Sequence, residues 1–447
     1  MRLIRYCIIT IIILLIIFIS NYYSNNYIIE STYKTNNIKT ISMLFETDHN
    51  TGIYEVQSTI NWPTIGYRFN KDISKCKFGS TIEWDNTNNR AIVKSDTKDY
   101  CYLFFDYYYC EQHSTDPICS IIPNYDPINN IVYHHDSNLT NGANDGSFRY
   151  AGENPKNYVC FGSDIYPCPD DNLYRILGKI PVDVVIDSTT TPVTTQNQML
   201  FKLIRNDFET ESTLGMTRAG DASTIGEERE KNGNEASGII DSFYWSGAVG
   251  SQNNNWASSS LNTTGLNVNV YGSFTSAWQD KIANVMWKVG GNLRDNIICL
   301  APMSSVYSYE ISNSGIKPNG YSGNWSNPLD NQISNKIGLM YMSDYGFATL
   351  NNYWVYPGQD VNNSAESYYN NDIRINNWMN RGVHEWSITR TADNSTGVTF
   401  VQCSGSFSAT SANRELMGLR RVFYLTQSTT IDMVNHEGTI TDPFRIS

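Results

Sequence analysis

The stretch EWSITRTADNSTGVTF, residues 385–400, begins with a strand-like run that carries Trp386 and Arg390 and then becomes small and polar. The polar character continues until the apolar run GLRRVFYL, residues 418–425. Two apolar runs therefore bracket a long and chemically plain segment. Such a segment is typical of loops that a rigid scaffold holds at the surface.

The composition of the 447-residue chain predicts a folded protein of two or three domains. Charged residues make up 17% of the chain and aromatic residues 13%, which is enough aromatic surface to close an apolar core. The formal net charge is −12, and the sequence has no cluster of lysine and arginine. Because nucleic-acid binding depends on such clusters, the sequence argues against a nucleic-acid partner.

The first residues, MRLIRYCIITIIILLIIFISNYY, predict a signal-anchor transmembrane segment at residues 1–23. Arg2 and Arg5 precede the uncharged run at residues 6–19, and a basic flank stays in the cytoplasm. We expect a single-pass protein of the cell membrane with a cytoplasmic N-terminus and an extracytoplasmic remainder. A cleaved signal peptide is the alternative because the run is short, although no small-x-small cleavage motif follows it.

The nine cysteines suit an oxidising compartment. Cysteines that are close in sequence predict three local disulfides, Cys76–Cys101, Cys110–Cys119 and Cys160–Cys168. Cys7 lies in the apolar run of the first residues, and Cys299 and Cys403 remain unassigned. A zinc site is the alternative, but the sequence has no CxxC pair and its six histidines are scattered. We therefore expect neither a metal ion nor a cofactor.

The pattern along the rest of the chain predicts an α+β protein with a small all-β module and a large loop-rich domain. Residues 24–52 are polar and lack a steady period, as expected for a spacer. Short β-type runs such as TIEWDNT and CYLFFDYYY predict a small β domain at residues 53–110. A linker at residues 111–131 and an α+β domain at residues 132–447 would follow.

The clearest helix pattern of the large domain is SAWQDKIANVMWKVGG, residues 276–291. Trp278, Ile282, Val285 and Val289 recur at helical spacing, and the glycines that follow would end the helix. The segments DNLYRILGKI, KIGLMYMSDYGFA and GLRRVFYL are typical of strands.

The segments WPTIGYRFNKDISKCKFGSTIEWD and KDYCYLFFD resemble the small N-terminal β module of a group of uncharacterised, membrane-anchored cell-envelope proteins of Firmicute bacteria. GSFRYAGENPKNYVCFGSDIYPCPDDNLYRILG, KIGLMYMSDYGFA, NNWMNRGVHEWSITR and GLRRVFYL resemble the large C-terminal domain of that group. This domain is similar to the formylglycine-generating-enzyme branch of the C-type-lectin fold. The sequence departs from the pattern at Arg421, where the group usually has proline.

The resemblance implies a binding face of loop residues near the C-terminus, with an unidentified extracellular protein or glycan as its ligand. Trp386 and Ile388 would belong to the core below it, and Arg390 would be a buried hydrogen-bonding fork. Val401 and Phe407 are placed to close a hairpin. An ordinary solvated hairpin is the alternative. The expected ligand-binding residues are Trp354, Tyr356, Asn394, Gln402, Ser404, Ser406 and Asn413.

A cell-envelope enzyme that acts on peptide or polysaccharide through a pocket of the same domain is the alternative function. Formylglycine-generating enzymes use a pair of cysteines that bind copper, whereas here no cysteine lies within a few residues of Cys299 or Cys403. The related sulfoxide synthases need an iron-binding histidine set, which six dispersed histidines do not supply. We assign no catalytic residue and expect a binding or adhesion protein.

The predicted anchor implies that the mature protein keeps its first residues. Mass spectrometry of protein from the membrane fraction should give an intact N-terminus, because an uncleaved apolar run holds the chain in the bilayer. A secreted chain that begins near residue 22 would identify a cleaved signal peptide instead.

Overall fold

A computed structural model describes the chain at residues 40–47, 51–56, 67–85, 90–94, 98–123, 125, 131–223, 239–248, 253–289, 291–292, 301–311, 332–355, 375–391, 395–403 and 405–446. Contacts divide the chain into two compact units, Met1–Cys119 and Ser120–Ser447. The predicted anchor at residues 1–23 lies outside the described ranges. Within those ranges, no helix is both long and apolar enough to cross a membrane.

The first unit is a small β module. The bounds of its strands are β1 Thr40–Glu46, β2 Tyr54–Val56, β3 Tyr67–Cys76, β4 Thr81–Asp85, β5 Arg90–Lys94 and β6 Tyr100–Tyr107. One sheet has the strand order β2-β1-β6-β3, and β4 pairs with β5 in a second, two-stranded sheet. The short helix α1, Tyr109–Gln112, and a 3₁₀ turn at Pro117–Ser120 follow β6.

Strand β1 lies inside the region that the sequence assigns to a polar spacer, residues 24–52. β1 runs parallel to β6 in the middle of the sheet. Met43 and Phe45 are buried there, so the segment contributes to the core of the module. The spacer prediction is therefore wrong for residues 40–46, because this segment is held by a strand far along the chain.

The second unit contains two larger sheets. The bounds of its strands are β7 Val132–His134, β8 Phe148–Tyr150, β9 Tyr158–Cys160, β10 Leu173–Asp187, β11 Thr194–Arg205, β12 Gly220–Ser223, β13 Ile239–Ser242, β14 Val285–Lys288, β15 Gly291–Asn292, β16 Gln332–Asn335, β17 Ile337–Gly338, β18 Glu385–Thr391, β19 Gly397–Val401, β20 Phe407–Ser411, β21 Val422–Tyr424, β22 Ile431–Asp432 and β23 Phe444–Ile446. The largest sheet follows the order β17-β21-β11-β10-β9-β23-β22, and β8 and β14 also pair with β10. The other has the order β15-β18-β19-β20.

The helices of the second unit are short. They are α2 Glu211–Leu214, a π-helical segment Leu261–Val270 that continues into α3 Tyr271–Ser273, α4 Ser276–Gln279, α5 Met303–Ile311 and α6 Met342–Phe347. The 3₁₀ turns lie at Asp170–Asn172, Trp256–Ser258 and Asn351–Tyr353. The described part of the chain is thus mixed α+β and largely sheet, which confirms the predicted class.

The predicted helix at residues 276–291 is wrong. Only α4 is helical there, and six residues after its end the chain forms β14, which pairs with β10 and β16. The residues of β14 alternate between buried and half-buried positions, which is the period of a strand. The predicted strand at residues 336–348 is also only partly correct, because β17 is followed at once by α6.

Strand β10 is the centre of the largest sheet, because it pairs with β8, β9, β11 and β14. Its first residues, LYRILG, are all buried, which confirms the predicted core strand. Gly178 is required in this arrangement. A Cβ at this position would lie 2.1 Å from the carbonyl oxygen of Phe148, so only glycine allows β8 to approach β10.

The three predicted disulfides are confirmed. Cys76–Cys101 joins β3 to β6, and Cys110–Cys119 closes the turn that follows α1. Cys160–Cys168 closes the loop between β9 and β10. The predicted interior positions of Trp386, Ile388 and Arg390 are also confirmed, because β18 is buried along its whole length.

Arg421 makes a buried ion pair. Its Nε and Nη2 atoms donate to the two carboxylate oxygens of Glu209 at 2.5 and 2.9 Å. Arg205 contacts the same carboxylate at 3.4 Å. The loop before β21 is therefore held by a buried ion pair.

We expect Glu209→Gln to lower the free energy of unfolding by about 3–5 kcal/mol, because it leaves two buried arginines without a carboxylate between them. Urea denaturation followed by tryptophan fluorescence measures the change. Asp171→Asn is the matched control, since Asp171 contacts Arg205 at 2.7 Å but has a side chain that is 87% exposed. Equal stability of the two variants would contradict the role assigned to Glu209.

Candidate functional site

The hairpin of β19 and β20 forms as the sequence predicts. Val401 lies opposite Phe407, and the N–H of Gln402 donates to the carbonyl oxygen of Ser406 at 2.8 Å. Gly405 has a φ of +89°, a conformation that glycine adopts without steric cost. These contacts confirm the predicted hairpin.

The tip of this hairpin packs on helix α6. The hydroxyl group of Tyr345 donates to the carbonyl oxygen of Gly405 at 3.1 Å, and its ring centroid lies 5.7 Å from that of Phe407. Ser406 is consequently only 2% exposed. The prediction that Ser406 binds a ligand is therefore wrong, because its side chain is covered by protein.

Trp354 is also a core residue. Its ring centroid lies 5.0 Å from that of Phe347 and 5.0 Å from that of His135, and its Nε1 donates to the carbonyl oxygen of Thr349 at 3.2 Å. The side chain is fully buried. The prediction that Trp354 belongs to a ligand surface is therefore wrong, because the side chain is covered by protein.

The remaining predicted ligand-binding residues are not brought together in the described structure. Gln402 and Asn413 are half-exposed, but they lie beyond opposite ends of β20, a strand about 13 Å long at the usual rise per residue. Tyr356, Asn394 and Ser404 lie outside the described residues.

A groove lies along the side of β20 and has a volume of about 280 Å³. We call it the hairpin groove. Leu416 at its edge is 47% exposed and has a φ of +67°, which is unusual for leucine. The N–H of Leu416 donates to the hydroxyl group of Ser242 at 3.1 Å, which fixes the loop in this conformation. The polar residues that line the groove are His384, Ser408, Thr410, Arg414 and Glu415.

Arg414 and Glu415 give the hairpin groove its charge, and both are exposed. Glu415 accepts a hydrogen bond from the hydroxyl group of Tyr244 at 3.1 Å. The guanidinium group of Arg414 makes no hydrogen bond or ion pair with any residue that the structure describes. The Nδ1 atom of His384 accepts from the N–H of Cys403 at 3.1 Å, so the imidazole proton lies on Nε2.

The residues of the hairpin groove differ from those that the sequence suggested. The prediction named side chains around the hairpin tip, whereas the groove is formed by one side of β20 and by the loop that follows it. The sequence signal that could have indicated the groove is the pair of adjacent charges, Arg414 and Glu415, at the end of a run of small polar residues.

Among the described residues, Cys403 is the cysteine that forms no disulfide, and it is buried at the hairpin tip. A buried thiol more often packs as a small apolar group than acts as a nucleophile. The other unassigned cysteine, Cys299, lies outside the described residues.

A second cavity lies among β8, β10, β11, β21 and helices α5 and α6 and has a volume of about 310 Å³. We call it the polar pocket. Arg149 contacts Asp145 at 2.9 Å and Asp344 at 3.3 Å, and Lys202 contacts Asp344 at 2.5 Å. The side chains of Arg149, Lys202 and Asp344 are buried, and that of Asp145 is 9% exposed. Buried charges persist only when they are paired and hydrogen-bonded in this way.

The carboxyl group of Asp145 is fully ionised at neutral pH. Burial by itself would raise its pKa, but the charge of Arg149 and hydrogen bonds from Ser147 and Tyr307 outweigh burial and lower the pKa to about 2. Burial, with the charge of Asp145, raises the pKa of the Tyr307 hydroxyl group. Asp145 is therefore unsuited to donate a proton as a general acid.

Glu310 lies behind the polar pocket on α5 and is fully buried. Its carboxylate accepts hydrogen bonds from the N–H of Ser343 at 3.1 Å and from the hydroxyl group of Thr389. Burial is the largest influence on this group and raises its pKa to about 7. Glu310 is thus a buried acid that changes charge near neutral pH.

The raised pKa of Glu310 predicts a pH dependence of stability. The unfolded chain releases this proton near pH 4.5 and the folded chain near pH 7, so stability falls as pH rises through that window. The loss amounts to about 3 kcal/mol. Glu310→Gln should remove it, as measured by urea denaturation at pH 5 and pH 8.

The control for this prediction is Glu437→Gln, which changes an exposed glutamate and should keep the pH dependence of the unmodified chain. If Glu310→Gln keeps that dependence as well, another group is responsible.

No protein family, curated protein or solved structure that was compared with the chain matches it. The functional conclusion therefore depends on the geometry of the two cavities and on the residues that line them.

Proposed function

We propose that this chain is a membrane-tethered, extracytoplasmic binding or adhesion protein whose ligand, a protein or a glycan, occupies the hairpin groove. The observation that carries the proposal is the exposed guanidinium group of Arg414 beside a groove of about 280 Å³. Arginine presents several N–H donors in a fixed fork, which suits carboxylate and other oxygen acceptors.

The other groups of the hairpin groove are those of a binding surface. The hydroxyl groups of Ser408 and Thr410 offer donors and acceptors, and the exposed side chain of Leu416 offers apolar contact. The scaffold below is buried sheet, because β18 and β19 have no exposed residue. Loops on such a scaffold tolerate substitution and commonly carry binding residues.

The extracytoplasmic location is supported by the three disulfides and by the apolar start of the sequence. Disulfides form and persist in oxidising compartments. The start of the sequence combines a basic flank with an apolar run, as membrane anchors do.

A C-type-lectin-like fold of the formylglycine-generating-enzyme type is part of this proposal. It is supported by the resemblance of the quoted segments and by the low helix content of the second unit. Because one fold hosts many functions, the proposed function depends on the groove and does not depend on the fold.

Arg414→Ala should weaken binding at least tenfold to any ligand that the purified full-length protein retains on a protein or glycan array. A tenfold change equals about 1.4 kcal/mol, as expected for the loss of charge-assisted hydrogen bonds. Biolayer interferometry with the retained ligand measures the change.

Arg218→Ala is the matched control, because Arg218 is also a partly exposed arginine of the second unit and lies outside the groove. Equal binding by both variants would place the ligand elsewhere on the molecule.

A further inference from the structure

The carboxylates on the floor of the polar pocket have most of their acceptor sites occupied by protein. Asp344 accepts hydrogen bonds from Arg149, from Lys202 and from the N–H of Tyr341. Asp145 accepts three more, from neighbouring protein groups. At the mouth of the pocket, Asp183 pairs with Lys288 and accepts a hydrogen bond from the side chain of Asn197. The described pocket therefore has few acceptors left for a ligand.

Three groups on the same floor have N–H or O–H bonds for which the described residues supply no acceptor. The ammonium group of Lys202 has three N–H bonds, and among the described residues only Asp344 accepts from it. The hydroxyl oxygen of Tyr341 accepts from the N–H of Lys288 at 3.0 Å, and its hydrogen has no acceptor in the described part of the chain. The hydroxyl group of Tyr424 has no hydrogen-bond partner among the described residues.

The three residues that carry these donor groups lie close together and line the same pocket. The Nζ atom of Lys202 lies 4.4 Å from the ring centroid of Tyr341 and 5.2 Å from that of Tyr424. All three residues are more than nine-tenths buried, and all three line the polar pocket. Ring faces attract the ammonium charge but do not replace oxygen acceptors for its N–H bonds.

We propose that the polar pocket binds a small carboxylate ligand, held by the Lys202 ammonium group and the hydroxyl groups of Tyr341 and Tyr424. Carboxylate oxygens only accept hydrogen bonds and offer about four acceptor sites, which matches two N–H and two O–H donors. A sugar hydroxyl group must also donate, and most of the acceptor sites that could receive its hydrogen are already occupied by protein. An apolar group would leave every donor unpaired, which buried sites reject strongly.

Charge and size agree with this ligand class. Lys202 shares its one carboxylate partner with Arg149, so the carboxylate of a ligand supplies a second anionic neighbour for its ammonium group. The partly exposed pair of Lys288 and Asp183, 2.8 Å apart, makes the mouth polar. The volume of about 310 Å³ suits a small molecule.

This site is separate from the hairpin groove, because the two cavities share no lining residue. The inference therefore goes beyond the proposed function, and each can fail without the other.

The test is a ligand-observed NMR titration of the full-length protein with lactate, succinate and benzoate and with the matched amides lactamide, succinamide and benzamide. We expect at least one carboxylate to bind and its amide to bind at least tenfold more weakly. Neutral trisaccharides of glucose and of N-acetylglucosamine form a third arm, in which no binding at this pocket is expected.

Tyr424→Phe removes one donor without removing a charge and should weaken carboxylate binding at least fivefold. Tyr174→Phe is the matched control, because Tyr174 is also fully buried, has no partner for its hydroxyl group among the described residues and does not line the pocket. Lys202→Met should abolish binding.

The proposal is overturned if none of the carboxylates binds, or if the amides or trisaccharides bind at this pocket as tightly. It is also overturned if Tyr424→Phe binds the carboxylate as tightly as Tyr174→Phe does. The Tyr424→Phe comparison remains decisive even if Lys202→Met fails to fold, because it keeps the Lys202–Asp344 ion pair.

Discussion

The carboxylate of Asp344 joins elements that are distant in sequence. It binds Arg149 of β8 and Lys202 of β11, and it accepts from the N–H of Tyr341 at the start of α6. A buried carboxylate is costly unless it is fully paired, so α6 docks favourably only where both cations are already in position. Because α6 supports the hairpin tip through Tyr345 and also walls the polar pocket, both cavities depend on this one ion network.

The parts of the fold that could be predicted from sequence are those determined by neighbours along the chain. The three disulfides join cysteines separated by 25, 9 and 8 residues, and the hairpin at Gly405 spans a short turn. Strand β1 was missed because its parallel partner is β6, and parallel partners need a long connection that gives no local signal. The helix at residues 276–291 was mispredicted because apolar residues at helical spacing also suit a turn followed by a strand that is buried on one face.

The candidate sites were harder to predict because they also depend on contacts between residues that are far apart in the sequence. Trp354 and Ser406 have side chains that suit a binding face, and only the packing of the second unit shows that both are covered. The lysine in MLFKLIR, residues 199–205, is a charge within an apolar strand and signals the need for a buried partner. That partner, Asp344, lies 142 residues away, so the sequence cannot identify it.

The parallel pairing of β1 with β6 has a mechanical consequence. Tension applied to the chain before Thr40 and beyond Tyr107 draws these two strands in opposite directions along their own length. The backbone hydrogen bonds between them bridge the strands and are evenly spaced, so they share the load and do not open one after another. The small β module therefore resists stretching along the chain as a shear clamp.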